Sequence, residues 1–182
     1  MRRAQIMAAC LTLLLTGPGF AQANTLPREV EHLIPGAQLN RQGSYRWFGL
    51  KLYDAYLWCE TRPAQAAQVW RTPFVLELVY ARNLSGRRIA EASIGEMRKL
   101  GRGTPGRQAE WLRWMREIFP DVREGTRLSG VFLPGKGIRF YRDGELLKEI
   151  ADAEFAQAFF AIWLDEQGSA RNLRRKLLGQ LP

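Results

Sequence analysis

Apolar side chains recur along this chain with two different periods, and the switches between them mark its elements. From Leu39 to Trp58 the sequence reads LNRQGSYRWFGLKLYDAYLW, rich in aromatic and branched residues with glycines at 43 and 49. This predicts two strands, or one strand broken by a bulge. Strand side chains alternate between faces, so Leu50, Leu52, Asp54, Tyr56 and Trp58 fall on one side and Lys51, Tyr53, Ala55 and Leu57 on the other. Asp54 thereby lands on an apolar stripe, where a carboxylate needs a partner, an edge position or a functional reason. Over residues 61–72, Ala64, Ala66 and Ala67 favour helix while Pro63 and Pro73 limit it to a short linker or helical piece. Phe74 to Tyr80 alternates again, with Leu76, Leu78 and Tyr80 opposite Val75, Glu77 and Val79.

After Tyr80 the period lengthens. Asn83 and Ser85 form a turn and a helix cap, because the Ser85 hydroxyl can accept an orphan amide of a first turn that carries Arg87 and Arg88 on its outer side. The helix is predicted to reach about Leu100 and to stop at Gly101. The loop GRGTPGR follows, and then Trp111, Trp114, Met115, Ile118 and Phe119 recur at three- and four-residue intervals in a second helix that ends before Pro120. In TRLSGVFLPGKGIRFYRDGELLKEI the Pro134-Gly135-Lys136-Gly137 and Asp143-Gly144 turns separate three short strands. The glycines around Lys136 lack the spacing and the Lys-Ser/Thr ending of a phosphate loop.

Asp152 can cap the next helix, whose run FAQAFFAIWL is apolar around almost its whole circumference and belongs inside. The last segment, SARNLRRKLLG, offers Ser169 as cap, Leu173, Leu177 and Leu178 for docking, and a basic last turn suited to the negative helix end. Residues 24–36, with two prolines, read as a loose lead-in. No repeat and no second-domain boundary is visible. The elements predict an α+β fold, an antiparallel or mostly antiparallel sheet with helices grouped on one side.

The beginning of the chain changes how the rest is read. MRRAQIMAACLTLLLTGPGFAQA orders two arginines, an apolar run and a small-residue ending as a secretory signal does, with cleavage expected after Ala23. Its removal leaves 159 residues, a single domain over 24–182, destined for the periplasm or the exterior. Cys10 precedes most of the apolar run, so a lipid anchor is the lesser reading. No later stretch approaches the roughly 18 apolar residues of a membrane span.

The processed chain keeps one cysteine, Cys59, which cannot close an internal disulfide and is expected to be buried. It keeps one histidine, His32, so neither a His-based metal site nor a Ser-His-Asp triad is expected, and no cofactor. The formal charge of +9 becomes +7 without Arg2 and Arg3, a balance that attracts anions. The expected location argues against nucleic acid as partner, and the scattered arginines fit a solvated basic surface.

FGLKLYDAYLW, LVYARNLSGRRIAEA, LPGKGIRFYRDGELL and FAQAFFAIWLDEQGSARNLRRKLLG, in this order, resemble the bacterial secreted branch of the chalcone isomerase-like family across residues 33 to 180. The resemblance implies an open-faced β-sandwich: a large curved antiparallel sheet covered by helices, with a pocket between them. Plant members cyclise a chalcone to a flavanone, while related proteins bind fatty acids without catalysis. Cyclisation needs a cation near the attacking phenolate and hydroxyl donors at the enone oxygen. By the resemblance, the family's threonine falls here at Lys51, its catalytic tyrosine at Ile89, its asparagine at Glu96 and its positioning serine or threonine at Ala161. The family's arginine falls at Tyr45, with Arg41 and Arg46 close by. A one-residue slip on a strand reverses the face.

Two classes of function therefore compete, with a third beside them. The leading expectation is a secreted non-catalytic pocket protein for a fatty acid or other small apolar anion, with Arg46, Lys51, Tyr53 and Tyr45 as candidate ligand-binding residues and no catalytic residue. The alternatives are an intramolecular lyase or isomerase using Arg46, Lys51 and Tyr53, and a periplasmic scaffold with an exposed apolar patch.

Overall fold

The computed structural model describes Leu26, residues 28–63 and residues 65–180. The secretory segment expected over 1–23 lies outside the described residues. Six strands follow in chain order: β1 (Gln38–Trp47), β2 (Leu50–Cys59), β3 (Phe74–Tyr80), β4 (Arg127–Leu133), β5 (Gly137–Arg142) and β6 (Glu145–Ile150). Each pairs antiparallel with the next, giving a curved, open sheet in the order β1 to β6. A short helix, α1 (Arg28–Glu31), precedes the sheet, and a 3-10 turn, Ala66–Arg71, fills the proline-bounded link before β3. Helices α2 (Gly86–Lys99) and α3 (Pro105–Ile118) are inserted between β3 and β4, and α4 (Ala153–Leu164) and α5 (Arg171–Leu177) follow β6.

Local chemistry sets these boundaries. The Ser85 hydroxyl accepts from the Arg88 amide, and α2 stops before Gly101, whose φ of +65° suits glycine. The Asp152 carboxylate accepts from the Phe155 amide at 2.8 Å and starts α4. The Gly86 amide donates to Asp121 at 2.9 Å, and Leu84 bridges Val122, so the start of α2 is tied to the end of α3.

Two expectations need correction here. Ser169 does not cap the last helix: Ala170 occupies that position, and the Ser169 hydroxyl donates instead to Glu96 at 2.6 Å. The lead-in is not loose where it meets the sheet, because Val30 and Ile34 are fully buried against Tyr56, Trp58 and Val75 on the outer face.

The main core lies on the opposite face, between the sheet and the helices, where burial of apolar area supplies most of the stabilisation. Leu57, Phe74, Phe132 and Ile138 from the strands meet Ile94, Met97, Trp111, Met115, Phe155 and Phe160 from the helices. Cys59 is buried in this cluster, as expected, and burial pushes its thiol up to about 12. On the outer face Glu77 is buried and answered by Arg127 at 2.7 Å. Asp54 also finds its partners there, accepting from the Ser44 hydroxyl at 2.6 Å and lying 2.5 Å from the Lys51 ammonium.

Candidate functional site

A cross-strand row of tyrosines begins the site. Tyr45 of β1 faces Tyr53 of β2, and Tyr53 faces Tyr80 of β3. Their rings touch in sequence, with centroids 5.2 Å apart for the first pair and 5.8 Å for the second. They form one end of a cavity of about 1040 Å³ between the sheet, α2 and α4. Its floor is apolar: Leu76, Leu78, Leu128 and Phe140 from the strands, with Phe159, Phe160 and Ile162 from α4.

The hollow exists because α2 brings little to fill it. Where α4 presents phenylalanines, α2 presents Ala92, Ser93 and Gly95 to the cavity beside Ile89. A Cβ added at Gly95 would meet no atom within 4 Å, so that stretch of helix faces open space. Gly130 has the reverse setting: its missing side chain lets the Phe160 ring approach the sheet, and an added Cβ would lie 3.0 Å from that ring.

The polar groups divide between wall and rim. The Trp163 indole N–H donates to the Tyr53 hydroxyl at 2.9 Å, leaving the Tyr53 proton free to donate in turn. Burial raises the Tyr53 hydroxyl well above its usual range, with the Trp163 hydrogen bond opposing, and burial raises Tyr80 likewise. Tyr45 is raised by burial and by the Glu96 charge, with Lys99 acting the other way. All three are therefore neutral donors near pH 7.

At the rim Glu96 accepts from Lys99 and from Ser169, both at 2.6 Å. Burial pushes the Glu96 carboxyl up, but these hydrogen bonds outweigh it and hold the group below the usual carboxylate range. Three cations, Arg82, Arg88 and Lys99, line the cavity against two carboxylates, Glu96 and Glu124. Arg82 and Arg88 are exposed and have no ion-pair partner among the described residues.

The four candidate ligand residues do not stay together. Tyr45 and Tyr53 line the cavity; Arg46 and Lys51 do not. Strict alternation had placed Lys51 on the face of Tyr53. The strand pairing slips instead, with Tyr45 opposite Tyr53 but Arg46 opposite Lys51, so Leu52 is an extra residue in β2. The bulge lets both Leu52 and Tyr53 reach the cavity, while Lys51 pairs with Asp54. Arg46 is exposed and donates to the Gly49 carbonyl at 3.3 Å.

Sequence reasoning missed Tyr80, Trp163 and Lys99, and read the junction that holds Arg82 and Arg88 as a turn and helix cap that could at most frame a pocket mouth. The alternation of Phe74 to Tyr80 had already put Tyr80 on the face of Leu76 and Leu78, and that was the available signal for it. Of the positions that the resemblance matched to catalytic groups, Ile89 and Glu96 line the cavity, whereas Ala161 is buried outside its wall and Lys51 points away.

Comparison with known proteins fits this architecture. A protein of Haemophilus influenzae, described only as uncharacterized, is 30% identical over 136 residues, which are 75% of this chain and 65% of that protein. The chain thus spans about two thirds of its relative's length. The crystal structure of a fatty-acid binding protein of Arabidopsis thaliana superposes with a TM-score of 0.62 at 11% identity, covering 80% of this chain and 88% of the other. At that identity the likeness is one of fold. The family profile described as chalcone isomerase-like matches residues 24–179, most of the chain, and the chain belongs to the chalcone isomerase-like family.

Proposed function

We propose that this is a non-catalytic pocket protein of the periplasm or cell exterior that binds a fatty acid or another apolar molecule with an acidic end. The observation that carries this reading is the cavity of about 1040 Å³ with an apolar floor, neutral hydroxyl donors on one wall and unpaired arginines at the rim. Its volume is at the upper end of small-molecule sites, roughly 300–1,000 Å³. An acyl chain would lie over Leu76, Leu78, Leu128 and Phe140. Its carboxylate would sit toward Arg82 and Arg88, where a cation costs little to keep because water still reaches it.

The substituted positions support binding over catalysis. Ile89 supplies no hydroxyl where the family's enzymes carry tyrosine, and Glu96 is already held by Lys99 and Ser169. The Arabidopsis protein of like fold is itself named for fatty-acid binding.

The test is native mass spectrometry of the protein from a periplasmic extract, followed by titration with a panel of fatty acids. The expected result is one acidic lipid per chain, exchangeable with the panel. A protein that carries no lipid and takes up no member of the panel would overturn the reading. Absorbance assays with several chalcones should show no turnover.

A further inference from the structure

The turn joining β1 to β2 is the most apolar exposed feature among the described residues. Trp47, Phe48 and Leu50 are 58%, 87% and 51% exposed, and the Trp47 and Phe48 rings meet edge to face at 4.8 Å. Phe48 and Gly49 both have positive φ, +46° and +79°, the backbone of a two-residue hairpin turn that ordinarily carries asparagine or aspartate before its glycine. A bulky aromatic there meets a steric penalty and gains no packing in return, since it points into water.

The tip has two neighbours of consequence. Trp47 and Leu50 also line the cavity, so the apolar tip runs without a break into its mouth. Arg46 stands at the tip, and the cavity that the tip adjoins is lined by Arg82, Arg88 and Lys99 against Glu96 and Glu124; Arg46, Arg82 and Arg88 have no ion-pair partner among the described residues. Exposed aromatic rings beside an arginine and next to a net basic rim match the boundary of an anionic bilayer, where rings settle among the headgroups and cations meet the phosphates.

We propose that the β1–β2 tip docks the protein onto an anionic lipid surface and seats the cavity mouth against the bilayer. Docking rests on the tip and the basic rim beside it, whatever the cavity holds; its use for loading a ligand rests on the pocket reading above. A lipid surface is favoured over a protein partner because the exposed rings sit on a two-residue turn, beside Arg46 and next to a rim on which cations outnumber carboxylates.

The test is flotation of the processed protein with vesicles of phosphatidylglycerol and phosphatidylcholine, and with vesicles of phosphatidylcholine alone. Phe48→Asn is the decisive variant, because asparagine suits the positive φ and keeps the turn. Binding to the anionic vesicles should weaken about tenfold or more in the variant, and in the wild type should fall with added salt. Equal flotation of wild type and variant overturns the proposal, and so does a wild type that floats with neither vesicle. Self-association of the wild type without flotation, abolished in the variant, would make the tip a contact between copies and also overturn it. Fatty-acid titration without vesicles separates the two readings: Phe48 is not part of the cavity wall, so the variant should bind in solution as the wild type does. Flotation by a protein that takes up no fatty acid would leave the docking inference standing and the pocket reading refuted.

Discussion

The helix-facing side of the sheet is solid at one end and hollow at the other. At the solid end Phe74 and Phe132 pack with each other and with Phe160, whose ring also borders the cavity, at centroid distances from 4.8 to 5.6 Å. At the hollow end Tyr45, Tyr53 and Tyr80 are spaced almost as closely, at 5.2 and 5.8 Å. Aromatic density on the strands therefore does not decide where the cavity forms. The covering helices do: α4 lays Phe155, Phe159 and Phe160 on the sheet, the last two reaching the edge of the cavity, whereas α2 offers Ala92, Ser93 and Gly95 across it.

The largest expected effect tests the solid end. Phe132→Ala should cost about 3–5 kcal/mol in urea unfolding, since the ring is fully buried among other rings. Leu52→Ala in the hollow should cost no more than about 1 kcal/mol, because that side chain faces space rather than atoms. Equal costs would erase the contrast.

Cys59, paired with Phe74 at the solid end, gives a chemical measure of the same difference. Its thiol rises from 9.0 to about 12 on burial, so at about pH 8 the native protein holds about a thousandfold less thiolate than an ordinary cysteine. A coloured disulfide reagent should react slowly with the folded protein and at once in denaturant. Fast reaction of the folded protein would mean that the solid end opens.

Most of the frame was legible in the sequence. The PGKG and Asp-Gly turns delimited β4, β5 and β6, Asp152 marked the start of α4, and Ser85 and Gly101 bracketed α2. The site was legible only in part, for two physical reasons. A bulge adds one residue without disturbing the apolar character of its strand, so the exit of Lys51 from the face of Tyr53 left no mark in LKLYDAY. The rim depends on how closely α2 approaches the β1–β2 hairpin, and nothing local to Arg82, Arg88 or Lys99 encodes that distance. Ser169 misled because a hydroxyl near a helix start suits a cap and a carboxylate equally well, and Glu96 lay closer.

A smaller effect tests the hollow end. Tyr53→Phe removes the acceptor of the Trp163 N–H together with the hydroxyl proposed to meet a ligand, and should cost about 1 kcal/mol of stability and, on that proposal, a similar share of affinity. Calorimetry checks both. The sign with pH follows from burial: Tyr53 and Tyr80 ionise at higher pH folded than unfolded, so stability is whole below the ordinary tyrosine range and falls as pH rises through it. Thermal unfolding followed upward from neutral pH should show that fall, shallower in Tyr53→Phe. A variant that matches the wild type would place Tyr53 outside the effect.

The smallest change sharpens the comparison most. Gly95→Ala should raise stability by up to about 1 kcal/mol, because the helix gains propensity and the new methyl group meets no atom within 4 Å. A loss of stability there would mean that α2 is already in contact with the sheet.

The order of the strands carries a consequence for how the protein assembles. Four of the five connections between neighbouring strands are shorter, but β3 reaches β4 only across the long insertion that holds α2 and α3. Closing the longest loop costs the most chain entropy, so the two halves of the sheet are expected to join late. The cavity draws its walls from both halves and from the insertion, and so comes into being at that last step. A ligand finds nothing to hold in earlier states. If the proposed binding of a fatty acid holds, it should leave the refolding rate unchanged and slow unfolding alone, which stopped-flow traces with and without added fatty acid would register.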